Sequence, residues 1–127
     1  AASSLQVERQ LHLLGPVSES EKSWYYRHCR AFVAPSLAEG FCLPVTEAMS
    51  VGKPLFLSNQ TALPEIGGSS AFYFSDFHPD RLQQVYHEGM HRYTRDAMME
   101  KIKERSASFC WNKAAEQYIS VYQSLLD

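Results

Sequence analysis

The chain has 127 residues, enough for one compact domain with a core of its own, and its 45% hydrophobic and 20% charged residues are ordinary for a soluble globular fold. A formal net charge of −2 excludes the basic footprint of wholesale nucleic-acid binding, and no apolar run approaches the ~20 residues of a membrane span or marks a secretory signal. Three cysteines, Cys29, Cys42 and Cys110, are an odd number without paired spacing, which points to reduced thiols and a cytosolic setting rather than a disulfide framework.

The chain opens AASS rather than with Met, as a fragment of a longer protein would. The run Leu11–Leu14 reads as a first strand, closed by Gly15-Pro16. Ser18 to Glu21 matches a capping box, so a helix is expected from there to about Cys29, with Trp24, Tyr25 and His28 near one face. AFVAP (31–35) is a short continuous apolar run, the mark of a strand buried on both faces. A loop then leads to Pro44, which suits a first helical turn, and the helix should stop near Val51-Gly52. PLFLS (54–58) and AFYFS (71–75) are two further strands, and TALPEIGG between them has room only for a short helix. Beyond Asp80 the period is helical, giving helices over 80–93, 94–109 and 112–126, with Trp111 as the core anchor of the last.

Alternation of strand and helix predicts an α/β domain with a four-stranded parallel sheet and helices on both faces, incomplete on its N-terminal side. Ligands of such sheets bind beyond the carboxyl ends of the strands, where the loop after AFVAP lies. That loop runs SLAEGFCLPVTEAM. Gly40 permits close approach of the backbone or a positive φ, and the amides of Phe41, Cys42 and Leu43 enter a helix whose first N–H groups lack internal partners. With the helix dipole they make a site for an anion such as a diphosphate. Glu39 before the turn and Glu47 one turn into the helix would repel phosphate, but carboxylates accept well from pairs of sugar hydroxyls. Phosphates flanked by sugars describe a sugar nucleotide.

Glu39 and Glu47, eight positions apart around G-F-x-L-P, resemble the E-x7-E signature of retaining GT-B glycosyltransferases of glycosyltransferase family 4 (group 1). The resemblance covers nearly the whole chain: LHLLGPVSESE is similar to the lead-in, AFVAPSLAEGFCLPVTEAMSVGKPLFLSN to the strand–loop–helix–strand core, ALPEIGG to the following turn, and FCWNKAAEQYISVYQSLL to the closing helix. It implies a Rossmann-like parallel-sheet domain that is part of the C-terminal half of a GT-B fold. Residues 1–127 would form a single truncated sugar-nucleotide-binding domain, with 112–127 as its closing helix. It also implies metal-independent, retaining transfer of a hexose from a UDP- or GDP-linked donor to a glycan or lipid acceptor held by an N-terminal domain, in polysaccharide or lipopolysaccharide synthesis. The location implied is cytoplasmic, with peripheral attachment to the inner membrane face left open. Glu39 would be catalytic, facing the donor sugar near the reacting carbon. Gly40, Phe41, Cys42, Leu43, Thr46 and Glu47 would bind the donor, Glu47 through the ribose hydroxyls. Two departures stand out: Cys42 occupies a position usually held by glycine, and the basic residues that neutralise the diphosphate lie in a part of the family's domain that precedes these residues.

Two other readings are open to the sequence. One is a non-catalytic module of the same fold that binds sugar nucleotides. The other comes from HEGMH (87–91), which matches the H-E-x-x-H pattern of zinc peptidases. His87 and His91 share a helix face, but that face lies opposite the apolar stripe of Leu82, Val85, Tyr86, Gly89 and Tyr93, and no third histidine follows at a suitable spacing. No metal site is therefore expected.

Overall fold

The computed structural model describes residues 7–126. A three-stranded parallel sheet carries the fold, in the order β1 (Phe32–Ala34), β2 (Leu55–Ser58) and β3 (Phe72–Phe74). The helices are α1 (Glu19–His28), α2 (Leu43–Ser50), α3 (Leu63–Gly67), α4 (Pro79–Arg95), α5 (Met99–Ala107) and α6 (Trp111–Ser124). The α/β class and the parallel, Rossmann-like sheet expected from the sequence are both present.

All four residues of β2 are buried, so the sheet must be covered on both faces. Successive strand side chains point to opposite faces, and the register pairs Phe56 with Phe72 and Leu57 with Tyr73. On the Phe56 side lies α4: Tyr86 packs 4.9 Å from the Phe56 ring, and the Arg92 guanidinium sits 5.6 Å from the Phe72 ring. On the Leu57 side lies α3, where the Tyr73 hydroxyl donates to the Gly68 carbonyl at 2.8 Å. Beside α3, α2 turns Val45, Ala48 and Met49 into the core, joined by Met98 and Ile102 at the start of α5. Arg105 of α5 donates from Nε to the Ile66 carbonyl at 3.1 Å and from a terminal nitrogen to the Glu65 carbonyl. These bonds take up carbonyls at the end of α3, which would otherwise lack partners.

Four expectations are corrected. Leu11–Leu14 is not a strand, so the described residues hold three strands rather than four; Leu13 is 89% exposed and no neighbouring strand offers it a ladder. β1 is not buried on both faces: Val33 is 42% exposed, because α4 packs mainly over β3 and β2. The break expected between Tyr93 and Thr94 falls instead at Asp96–Met98, where Ala97 takes a positive φ of 46° and Met98 and Ile102 enter the core. Trp111 is no core anchor; it is 81% exposed at the start of α6, a helix with no buried residue. Asp127, the last residue of the expected closing helix, lies outside the described residues.

The HEGMH segment falls inside α4 with His87 and His91 exposed, on the side away from the sheet, as its periodicity predicts. Its glycine has the structural role. A methyl group at Gly89 would come within 2.5 Å of Phe56 and 2.8 Å of Phe72, so α4 sits this close only because no side chain stands there. Gly89→Ala should therefore destabilise the fold by about 1–3 kcal/mol through overpacking, whereas His87→Ala and His91→Ala should stay within ~0.5 kcal/mol. Urea unfolding of the three variants checks this; an unperturbed Gly89→Ala would contradict the packing.

Candidate functional site

The loop from Pro35 to Cys42 leaves the carboxyl end of β1, beside the loop that leaves β2. The two are tied together: the Glu39 amide donates to the Thr61 hydroxyl at 2.9 Å, and the Ser58 hydroxyl donates to the Ser36 carbonyl. Gly40 carries the chain to Cys42, which caps α2 in the left-handed region with φ 63° and ψ 68°. A β-carbon is strained there by about 1–2 kcal/mol, and glycine would not be. Pro44 follows in the first turn, and no acidic side chain occupies that turn. Among the described residues no acceptor meets the amides of Phe41, Cys42 or Leu43, so the start of α2 is an open set of donors.

Phe41, Leu43 and Thr46 face α6 across an apolar cleft of about 650 Å³, with Phe109, Trp111 and Tyr118 on its far side. The Phe41 ring meets Phe109 edge-on at 5.6 Å. Thr46 donates its hydroxyl to the Leu43 carbonyl at 2.8 Å, while its own carbonyl accepts from Ser106 at 3.1 Å. Glu47 turns the other way, into a smaller polar cleft of about 240 Å³ between α1 and α2. There Lys22 Nζ donates to Oε1 and Tyr26 Oη donates to Oε2, both at 2.9 Å. The seven residues singled out from the sequence are thus divided. Three line the apolar cleft, Glu47 lines the polar one, and Glu39, Gly40 and Cys42 form the loop at the start of α2.

Lys22 and Tyr26 were missed by motif reasoning. They sit four residues apart, on one face of α1, a pattern visible in the sequence; their partner on α2 is not. Trp24, Tyr25 and His28, grouped on one face by the sequence, point outward, with Trp24 stacked on His28 at 4.4 Å. Charge is balanced locally in the polar cleft. Glu19 and then Glu47 hold the Lys22 ammonium well above its usual range. Burial, reinforced by Glu47, raises the Tyr26 phenol, so it remains a donor. Glu65, the other carboxylate near the loops, contributes its backbone carbonyl to Arg105. No cluster of three His, Cys, Asp or Glu forms among the described residues.

The Cys42 thiol is pushed up, first by burial and then by the Glu39 carboxylate beside it. A raised thiol pKa means the thiolate appears only at higher pH, so Cys42 should be alkylated by iodoacetamide more slowly at pH 8 than a free thiol. Replacing Glu39 by Gln removes the carboxylate's share and should shift the rate–pH profile to lower pH. Mass spectrometry of the Cys42 peptide over time reads both effects; a profile unmoved by Glu39→Gln would refute the contact.

The family model described as "Glycosyl transferases group 1" matches residues 1–104. An O-antigen chain mannosyltransferase B from Escherichia coli is 31% identical over 122 residues, covering 93% of this chain and 31% of that protein. A serotype-specific mannosyltransferase of the same organism is 32% identical over 121 residues, covering 92% of this chain and 14% of its own length. A glycosyltransferase of Methanocaldococcus jannaschii is 30% identical over 120 residues, covering 92% of this chain and 34% of its own. The chain therefore spans about a third or less of the length of these relatives. With an Escherichia coli relative above 30% identity, a family model matched across most of its residues, and the expected strand–loop–helix core in place, this chain belongs to the group 1 glycosyltransferases.

Proposed function

We propose that these residues form the sugar-nucleotide-binding domain of a retaining glycosyltransferase, contributing one wall of a donor site that the rest of the protein completes. The observation that carries the reading is the open start of α2: free amides at Phe41, Cys42 and Leu43, with Glu39 before them and Glu47 beyond. The donors and the positive end of the helix dipole suit a diphosphate. The two carboxylates suit the sugars on either side of it, Glu39 the transferred hexose and Glu47 the ribose, with Gly40 giving the backbone room, while Thr46 faces the apolar cleft on the α6 side of α2.

In the transfer, the acceptor oxygen forms a bond to the anomeric carbon while the bond from that carbon to the diphosphate breaks. The proton of the acceptor passes to the leaving diphosphate, and the configuration at carbon is kept. Negative charge grows on the leaving group, so fixed amides at the start of α2 lower the barrier more than they strengthen ground-state binding. The names of the relatives favour mannose as the hexose and a surface polysaccharide as the product. A UDP- or GDP-linked donor fits equally, and the acceptor, glycan or lipid, would be held outside these residues. No described helix is long and apolar enough to cross a membrane.

In the full-length protein, with GDP-mannose and UDP-glucose as donors, Glu39→Ala and Glu47→Ala should each reduce turnover by about 10²-fold or more. Product anomers followed by NMR should keep the donor's configuration. Near-normal rates in both variants would end the assignment, and inversion would end the retaining mechanism.

A further inference from the structure

Among the described residues, Glu47 is the one carboxylate near the loops whose two oxygens are both anchored by side chains from another helix. Lys22 holds Oε1 and Tyr26 holds Oε2, each at 2.9 Å. The anchors are themselves fixed. Lys22 also pairs with Glu19 at 2.8 Å, and the Tyr26 ring packs on Phe32 of β1 with centroids 5.9 Å apart. The start of α1 is set by its capping box, in which Ser18 and Glu21 exchange bonds. The Glu47 side chain is nevertheless 35% exposed, so the carboxylate keeps an open side toward the cleft.

An ion pair this accessible adds little to folding stability, which leaves its geometry to explain. A lone glutamate on a helix surface samples many rotamers and loses that freedom when it binds. One clamped at both oxygens has lost it beforehand.

We propose that Lys22 and Tyr26 are positioning residues, holding the Glu47 carboxylate at the mouth of the α1–α2 cleft so that it meets the paired hydroxyls of a nucleotide's ribose in a single orientation. This rests on the donor-site reading above. It makes α1, a helix outside the motif, a determinant of ribonucleotide affinity.

Calorimetric titration of the full-length protein with GDP and UDP, and with their 2′-deoxy counterparts, tests it. Glu47→Ala should weaken the preferred ribonucleotide about tenfold and abolish its advantage over the deoxy form. Lys22→Met and Tyr26→Phe should each weaken only the ribonucleotide, about three- to fivefold, and should add nothing in a Glu47→Ala background. Lys22→Arg, which keeps the ion pair, should restore affinity, and melting curves should show every variant folded. If Lys22→Met costs as much with the deoxy nucleotide, or adds its full effect to Glu47→Ala, Lys22 contacts the phosphates directly and the positioning role is wrong. If only Glu47→Ala matters, the positioning role fails while the donor site stands. If Glu47→Ala has no effect, or the wild type binds neither nucleotide, the donor-site reading falls and the inference with it.

Discussion

A strand with no exposed side governs this molecule. Leu55, Phe56 and Leu57 are fully buried, and in a sheet whose side chains alternate that requires cover from two directions. On one face the cover is α4, brought close by Gly89; on the other it is α3, with α2 and α5 beside it. Removing that apolar area from water is the main drive for folding, so the helices have little freedom in where they lie. The loops at the carboxyl ends of β1 and β2 inherit their positions from this packing, and the bond from the Glu39 amide to Thr61 ties them together.

The consequences for the site follow from α2. Val45, Ala48 and Met49 must point into the core, which turns Thr46 and Glu47, though adjacent in sequence, toward different neighbours. Thr46 looks toward α6 and an apolar cleft; Glu47 looks toward α1 and two polar partners. A helix with 3.6 residues per turn and one face committed to the core can do this with two consecutive residues. The same logic separates the two carboxylates of the signature. One stands in a loop, the other is clamped, and their chemical environments differ accordingly.

The left-handed conformation of Cys42 belongs to the same constraint. The chain must turn sharply between the end of β1 and the start of α2, and the turn falls where a cysteine stands. The strain is held by packing on both sides, and the thiol, half-buried beside Glu39, is kept protonated rather than reactive.

Much of this was legible from residues alone. The capping box at Ser18, the proline in the first turn of α2, the apolar runs of β2 and β3 and the stripe of α4 are local signals, and each formed the element it predicts. HEGMH could be set aside on periodicity, because a helix face opposite the apolar stripe faces solvent. The loop and helix that carry Glu39 to Glu47 were legible too, since a strand, a glycine turn and a helix start specify a backbone geometry. Long-range decisions were not. Leu11–Leu14 reads as a strand but needs a partner to become one; Trp111 reads as a core residue, but nothing described packs over it. The break after α4 was expected at Tyr93, but it falls at Ala97, where no glycine or proline marks it, because burial of Met98 and Ile102 sets its place. The clamp on Glu47 joins residues 21 and 25 positions apart, and no periodicity spans that distance. Local chemistry settled most of the elements and which loop holds the candidate groups; only packing, which acts between residues remote in sequence, decided which strands pair and which neighbours those groups meet.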